Sequence, residues 1–444
     1  MEWSRYNMLF KSKNNGWLLY NSGSNSFVQM DESTAELIKR VKDNPNMDFA
    51  ENPDLYFKLR LGGFIVEDGK DGDLVRIIKM KRLTENYAGN RMLLTIAPTK
   101  ECNFACEYCF EHNKLPSTMT DKTEDKLVKF IKKHNLINEI SITWFGGEPL
   151  LEFERIKSLN TKIEALGKKY SAILVTNGYN LSKEVVDSLG SLKVSSIQIT
   201  IDGSKDTHDK RRFLVGGGPT YETILENIDA LMQSDWGGRL NVRVNIDSRN
   251  VTEFVDVYNN FSNRYPQKTN RQLNVYPGFV DDNNSVGGCF FDSDDKGRFL
   301  IELSQLYGIN TVHIFPNIMM GGCSLTYRNA YVVGPDGEIY KCLRDIGKKK
   351  EIIGSIYCLT NWDVSLMAEG MIGASYLDDK NCENCLLFPV CDGGCPKMRA
   401  YSVRDGVKRN ICSYFKNHCK ELLEIHYEQK MAGSGGIDMI AKYQ

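Results

Sequence analysis

Three cysteines stand close together in the stretch Glu101-Cys102-Asn103-Phe104-Ala105-Cys106-Glu107-Tyr108-Cys109-Phe110, in a CxxxCxxC spacing. Such spacing lets a single loop bring its thiolates to one metal corner, as a zinc ion or an iron–sulfur cluster requires. Structural zinc closes its shell with four ligands, so three cysteines leave a position open. Spacing alone keeps three readings in play: a cluster with one exposed iron, a zinc site completed by His112, or three buried thiols. A second concentration of cysteine lies towards the other end: Cys323, Cys342, then Cys382-x2-Cys385-x5-Cys391-x3-Cys395, and Cys412. Ten of the 13 cysteines fall in these clustered spacings, which a core filled at random would rarely produce.

These residues need elements to position them. From Arg91 to about Val280 strand-like and helix-like runs alternate. The predicted strands are Met92–Ala97, Glu139–Phe145, Ser171–Asn177, Ser196–Asp202, Leu240–Ile246 and Gln272–Val280. Amphipathic helices are predicted near Asp121–His134, Leu151–Gly167, Ser182–Leu189, Thr220–Met232 and Thr252–Arg264. Alternation of this kind implies parallel strands with helical crossovers. Six strands suit an open, partial barrel, and function in such sheets gathers at the strand C-terminal ends. The cysteine loop follows the first strand there. Gly146-Gly147-Glu148-Pro149 follows the second, Thr176-Asn177-Gly178 the third, and Ile201-Asp202-Gly203 the fourth.

The first 90 residues read as a small unit of their own. Gly16–Tyr20 and Ser26–Met30 are strand-like, Asp31 can cap a helix through Val41, a short helix lies near Leu55–Leu61, and Phe64–Val66 is a short strand. Asp73–Glu85 reads as a connecting helix. After Val280 a linker containing Cys289 leads to a helix through Leu306. A hairpin is expected from Ala330 to Cys342, turning on Pro335-Asp336-Gly337.

At 444 residues the chain is long enough for about three ordinary domains. Apolar residues make up 41% and charged residues 25%, with a net charge of −1. No global basic field suits nucleic acid or an anionic membrane. The start, Met1-Glu2-Trp3-Ser4-Arg5, lacks the apolar run of a signal peptide, and nothing approaches the ~20 apolar residues of a membrane span. A cytoplasmic location is therefore expected, where cysteines more often bind metal or fill cores than form disulfides.

The cysteine loop, down to its aromatic-cysteine step Tyr108-Cys109, resembles the signature of the radical S-adenosylmethionine (radical SAM) enzymes. The resemblance implies a [4Fe–4S] cluster on Cys102, Cys106 and Cys109, with S-adenosylmethionine chelating the fourth iron through its amino and carboxylate groups. Gly146-Gly147-Glu148-Pro149 matches that family's GGEP motif. Its backbone would pair with the methionyl amino group, the glycines letting the ligand come close, and the Glu148 carboxylate would accept from the ammonium. Arg212 occupies the position where relatives place a cation for the cofactor carboxylate, a task suited to a guanidinium fork; a surface ion pair with Asp209 is the alternative. Asn177, Asp202, Arg243 and Asn245 are further contacts that the resemblance implies.

The C-terminal cysteines, with Gly337 between Cys323 and Cys342, resemble the seven-cysteine pattern of the SPASM domain, which carries up to two auxiliary [4Fe–4S] clusters. Carried over by position, Cys382, Cys385, Cys391 and Cys412 would close one. Cys323, Cys342 and Cys395 would hold the other with an open iron, Cys289 being the nearest upstream cysteine. A double zinc module is the plain alternative. Cys358 and Cys419 are expected to be core thiols. The order of elements in residues 1–90 resembles the winged-helix-like recognition element of enzymes that modify ribosomally made peptides, which binds a leader peptide as an added strand. A structural cap is the alternative.

Together these expectations describe an α/β chain of five parts. Residues 1–90 form the recognition element, 91–285 a partial (β/α)6 radical SAM barrel, 286–322 a bridge, 323–425 the SPASM domain and 426–444 a flexible tail. The implied activity is crosslinking of a precursor peptide, through a thioether or a carbon–carbon bond, with S-adenosylmethionine, three [4Fe–4S] clusters and an external donor such as flavodoxin or ferredoxin. One rival is the related anaerobic sulfatase maturation, which oxidises Cys or Ser to formylglycine. That branch places an Asp after the Gx4C cysteine, where Leu343 stands here. The other rival is a non-enzymatic iron–sulfur carrier or peptide-binding scaffold, which has no need of Gly146–Pro149 and Arg212.

Overall fold

The structure is a computed structural model that describes residues 1–47, 52–111, 115–268, 272–280, 291–311, 314–318 and 322–433. Cys289, His112 and most of the expected tail lie outside these residues. Two compact units make up the chain. One is Tyr87–Asp292 with Ser324–Gly373, the other Met1–Asn86 with Ser293–Cys323 and Ala374–Gln444.

The first unit is built on a parallel sheet. Its strands are β1 (Arg91–Ile96), β2 (Glu139–Trp144), β3 (Lys169–Thr176), β4 (Val194–Thr200), β5 (Arg239–Ile246), β6 (Leu273–Phe279), β7 (Ala330–Val333), β8 (Glu338–Tyr340) and β9 (Gly354–Ser355). Helices α1 (Asp121–Lys133), α2 (Phe153–Glu164), α3 (Lys183–Ser188), α4 (Lys205–Arg211), α5 (Tyr221–Gln233) and α6 (Phe254–Arg264) lie between the first six strands. Among the described residues the strands hydrogen-bond in the order β6-β5-β4-β3-β2-β1-β7-β8-β9. Neighbours from β6 to β1 are parallel, giving the expected partial (β/α)6 arrangement. The expected hairpin is β7–β8, with Val333 opposite Ile339. Its position was not foreseen. Strand β7 pairs parallel with β1, Ala330 opposite Leu93, and so adds a seventh parallel strand.

Side chains alternate across a strand, so each strand gives one residue set to each face of the sheet. Ile140, Ile142, Trp144, Leu174, Ile197, Ile199, Val242 and Val244 are buried. Burying each such side chain stabilises the fold by about 1.5–3 kcal/mol. Two helix starts are capped: Thr120 accepts from the Thr123 N–H before α1, and Ser182 from the Val185 N–H before α3. A fully buried carboxylate, Glu124 on α1, ties this helix to α2 through Arg155, Ser158 and Lys162.

In the second unit, strands Asn7–Lys11, Trp17–Asn21 and Ser26–Met30 form an antiparallel meander. Asp31 caps helix Glu32–Asp43 by accepting from the Thr34 N–H, as expected, and helix Pro53–Leu61 follows. Ile65–Val66 pairs antiparallel with Glu2–Trp3. Leu19, Met30, Ala35, Ile38, Val41, Leu59, Phe64 and Ile65 form one core. On the other side of the meander, Phe10, Leu18, Tyr20 and Phe27 pack against Leu387, Cys419 and Leu423. Residues 1–86 thus share a core with the cysteine-rich end, and Cys419 is the core thiol expected of it. Cys358, in the first unit, is not: it is exposed, in the turn after β9 where it bridges Ser355, with its thiol beside the Thr360 hydroxyl.

Candidate active site

The cysteine loop leaves the C-terminal end of β1 and is fastened on several sides. Phe104 bridges Leu214, with the Ala105 N–H on the Phe213 carbonyl at 2.9 Å and the Val215 N–H on the Asn103 carbonyl at 2.8 Å. Lys100 at the loop's start pairs with Asp336 at 2.6 Å and Glu338 at 3.3 Å on the β7–β8 hairpin. Glu107 meets Arg249 at 3.4 Å. Phe110 stacks on Phe145 with ring centroids 6.3 Å apart.

The glycines after β2 serve this fastening. The Gly147 N–H donates to the Thr99 carbonyl at 3.1 Å and the Glu148 N–H to the Glu101 carbonyl at 2.8 Å. A Cβ on Gly147 would lie 2.0 Å from the Glu101 oxygen, and one on Gly146, at φ +126°, would lie 2.4 Å from the Thr99 oxygen. The expectation that these glycines make room for a ligand is therefore incomplete, because the first thing they admit is the backbone leading into Cys102. Glu148 is likewise committed. Its buried carboxylate accepts from the Leu150 N–H at 3.0 Å, the Thr176 hydroxyl at 2.7 Å and the Asn177 N–H at 2.7 Å. It joins the ends of β2 and β3 rather than reserving its oxygens for an ammonium. Burial raises its pKa, and these three donors oppose the rise. Pro149 is buried at the start of a single 3-10 turn, Pro149–Glu152.

One cavity of about 580 Å³ collects the rest. Cys102, Cys106 and Cys109 line it with Gly146, Gly147, Glu148, Asn177, Arg212 and Arg243. Strands β2, β4 and β5 contribute alternate residues: Thr143, Gln198 with Thr200, and Arg243 with Asn245. Leu343 and Arg344, which follow Cys342, also line it. Arg212 is buried and not on the surface. Its Nη1 donates to the Tyr108 hydroxyl at 2.8 Å, its guanidinium lies over the Phe104 ring, and its Nε has no partner. The alternative of a pair with Asp209 is excluded, since Asp209 binds Lys205 and accepts from the Thr220 and Tyr221 N–H groups. The Asn177 amide donates to Asn103 at 2.8 Å. Asp202 does not line the cavity: its carboxylate bonds Arg211, which also bonds Asp247. Its expected contact with cofactor is replaced by this buried ion pair.

The residues fit a thiolate-held cluster. The Phe104 and Glu111 N–H groups approach the Cys102 and Cys109 sulfurs at 3.4 Å each, donors that suit a charged sulfur. Burial pushes the Cys102 thiol up to about 12 and raises Cys106, while the Arg212 charge pulls both back. Ligation would release those protons. Among the described residues no three Cys, His, Asp or Glu side chains converge tightly enough for a single ion. A four-iron cube takes its thiolates at separate corners and makes no such demand. The cavity is within the ~300–1,000 Å³ of small-molecule sites and has the unpartnered Arg212 Nε in its wall.

The family model named Radical SAM superfamily matches residues 96–260. The chain carries a radical SAM domain. It is similar, at 22% identity over 95% of both chains, to the radical SAM cyclopropyl synthase TigE of Paramaledivibacter caminithermalis. It is 24% identical to the serine-type anaerobic sulfatase-maturating enzyme of Klebsiella aerogenes, over 66% of this chain and 77% of that one. Streptococcus suis SuiB, solved with S-adenosylmethionine, has a similar fold: TM-score 0.52, 17% identity, 93% of this chain and 98% of that one. SuiB has also been solved with its precursor peptide SuiA. The protein is thus an enzyme with a radical SAM domain, related to a radical SAM cyclopropyl synthase and to sulfatase-maturating enzymes.

Within the radical SAM domain, sequence reasoning overlooked Gln198, Thr200 and Thr143. The signal was there in strands whose polar residues alternate with buried ones, as in Asn241-Val242-Arg243-Val244-Asn245-Ile246. Of the C-terminal cysteines, Cys382, Cys385, Cys391 and Cys412 lie in one unit. Cys382 accepts from Arg399 Nη2 at 3.1 Å and Cys391 from the Gly393 N–H at 3.3 Å. Burial pushes Cys391 up to about 11, with Cys385 and Cys382 among the charges acting on it. Cys323 and Cys395 are exposed in that same unit, and Cys342 is half-buried in the other. No helix of the described residues is long and apolar enough to cross a membrane.

Proposed function

We propose that this radical SAM enzyme modifies a ribosomally made peptide by hydrogen abstraction and closure of a crosslink. The observation that carries the reading is the meeting of Cys102, Cys106, Cys109, Asn177 and Arg212 in one cavity beside the Gly146–Glu148 backbone. Cys102, Cys106 and Cys109 would hold the cluster, Arg212 would meet the carboxylate of S-adenosylmethionine, and the Gly146–Gly147 backbone its amino group. When bound, the reduced cluster and S-adenosylmethionine supply the radical that abstracts hydrogen. The chain's part is to orient the reactants and to exclude water, with Phe110, Phe145 and Leu343 forming apolar wall. Closing the crosslink removes one hydrogen atom to the adenosyl group, one proton, and one electron, which the auxiliary cysteines would accept through their clusters. A carbon–carbon bond is favoured over a thioether, because the relative spanning 95% of the chain is named for a ring closed by such a bond.

The four cysteines Cys382, Cys385, Cys391 and Cys412 are proposed as the ligands of a closed auxiliary [4Fe–4S] cluster, and a third cluster is proposed from the seven-cysteine pattern. An exposed edge of the Asn7–Met30 meander is the proposed seat of the leader peptide, and a cytoplasmic flavodoxin or ferredoxin the electron donor. Formylglycine formation is disfavoured by Leu343 and Arg344, which line the cavity where that branch needs a carboxylate.

The test is anaerobic incubation of reconstituted enzyme with S-adenosylmethionine and a strong reductant. 5′-Deoxyadenosine should form, and Ala at Cys102, Cys106 and Cys109 should abolish it while the absorption of the other clusters persists. Turnover of a sulfatase-derived peptide to formylglycine would reverse the choice of reaction.

A further inference from the structure

Three guanidinium groups line the cavity, those of Arg212, Arg243 and Arg344, and a single cofactor carboxylate calls for one of them; Arg344 lies over the Phe110 ring. Arg212 stands beside the thiols, its charge among those acting on Cys102 and Cys106. Arg243 stands on β5, with Gln198, Thr200 and Asn245 among the polar residues around it. A chain of hydrogen bonds fixes Arg212 and Arg243. Arg212 Nη1 donates to the Tyr108 hydroxyl at 2.8 Å, Asn245 Nδ2 donates to the same oxygen at 3.1 Å, and Arg243 Nε donates to Asn245 Oδ1 at 2.7 Å. The Asn245 amide is thereby held one way round, and Arg243 is anchored by Nε, with its guanidinium also beside the Tyr276 hydroxyl. Room for it comes from Gly278 on β6, where a Cβ would lie 2.2 Å from Arg243 Nε. Among the described residues Arg243 forms no ion pair, although Arg91, Arg155, Arg211, Arg249 and Arg264 of the same unit do. Among the described residues the only carboxylates lining the cavity are Glu148, already bonded to three donors, and Glu111.

A half-buried, pre-anchored cation in a substrate cavity is built for an anion. We infer that Arg243 binds a carboxylate of the substrate, so that the peptide this enzyme takes carries an Asp, Glu or C-terminal carboxylate next to the modified residue. The inference rests on the peptide-modifying reading above and deepens it. It also moves Arg243 from the cofactor to the substrate.

The experiment uses reconstituted full-length enzyme and has two arms. In the first, equilibrium dialysis measures S-adenosylmethionine binding to wild type, Arg243→Met and Arg212→Met. In the second, immobilised enzyme with S-adenosylmethionine is offered two pools of synthetic random peptides, one containing Asp and Glu, the other Asn and Gln in their place, and retained peptides are read by mass spectrometry. Arg243→Met should keep the wild-type affinity for S-adenosylmethionine, which Arg212→Met loses. Wild type should favour the acidic pool by roughly tenfold or more, as a charged hydrogen-bonded contact provides, and Arg243→Met should erase that preference. Gly278→Ala, which displaces Arg243 without removing its charge, should do the same if Arg243→Met fails to fold. Equal retention of the two pools overturns the inference and leaves the peptide reading intact, as does a preference that survives in both variants. Loss of S-adenosylmethionine binding in Arg243→Met returns this residue to the cofactor and also overturns it. Retention of neither pool removes the peptide reading and the inference with it.

Discussion

Tyr108→Phe removes one oxygen from the centre of the site and tests whether Arg212 is held there by it. The hydroxyl accepts from Arg212 Nη1 at 2.8 Å and from Asn245 Nδ2 at 3.1 Å. Asn245 is half-exposed and can turn to water. Arg212 is 7% exposed and already has an unpartnered Nε, so a second of its N–H groups would lose its partner. Leaving one buried donor unsatisfied costs about 1–3 kcal/mol, and a charged one lies toward the upper end. Taking about 2 kcal/mol, the melting temperature of a unit of this size should fall by about 4–8 °C. The assay is a double-mutant cycle with Arg212→Met, read by thermal unfolding of anaerobically reconstituted protein. On the Arg212→Met background the same Tyr108→Phe change should cost about 1 kcal/mol less or better, because the donor it would orphan is gone. Equal losses on the two backgrounds would show that Tyr108 and Arg212 do not depend on each other, and the account of the buried guanidinium would fail.

Gly147→Ala puts a carbon 2.0 Å from the Glu101 carbonyl oxygen; we expect a loss of about 1–3 kcal/mol and reduced iron uptake on reconstitution, and full iron content with unchanged melting would refute the close-approach argument. Lys100→Met leaves Glu338 buried without its cation and should cost about 3 kcal/mol, whereas Asp336→Asn, at an exposed carboxylate, should cost under about 1 kcal/mol; urea denaturation ranks the two. His208 is kept neutral by burial, its pKa lowered from 6.5 to about 3, with the Asp202 N–H on Nδ1. The unfolded chain therefore binds the extra proton first, so this contribution is complete above pH 6.5 and declines as the pH falls towards about 3. His208→Gln should be less stable at neutral pH but lose less on acidification to pH ~5.5, measured as the shift in urea midpoint; parallel pH profiles for the two proteins would contradict it.

Much of the fold was legible because the strands of the radical SAM domain are short apolar runs ended by Gly, Asn or Asp, and the helices between them keep their apolar spacing. What escaped was too short or too polar to show a period. Helix α4, Lys205–Arg211, is a single polar segment. Strands Glu2–Trp3 and Asn7–Lys11 are recognisable only from partners far along the chain. The cysteine loop and the Arg212 cavity could be read from motif residues, whereas the duties of Gly147, Glu148 and Asp202 could not. Those duties depend on which backbone crosses which, and that is decided by the parallel register of β1 and β2 and by the Arg211 bridge to Asp247. In sequence Arg211 and Arg249 look alike, although the first is buried between Asp202 and Asp247 and the second pairs with Asp247 and Glu107 at a half-exposed position.

The seventh parallel strand bears on where this enzyme can be cut. With β2 on one side and β7 on the other, β1 is an interior strand. A fragment ending near residue 285 would look complete by the count of strands and helices, yet it would turn β1 into an open edge with unpaired backbone groups, directly below the cysteine loop. Exposed edges of this kind recruit other chains. A shortened enzyme should therefore aggregate, and during synthesis the first strand must wait for residues 330–333 before its second side is covered.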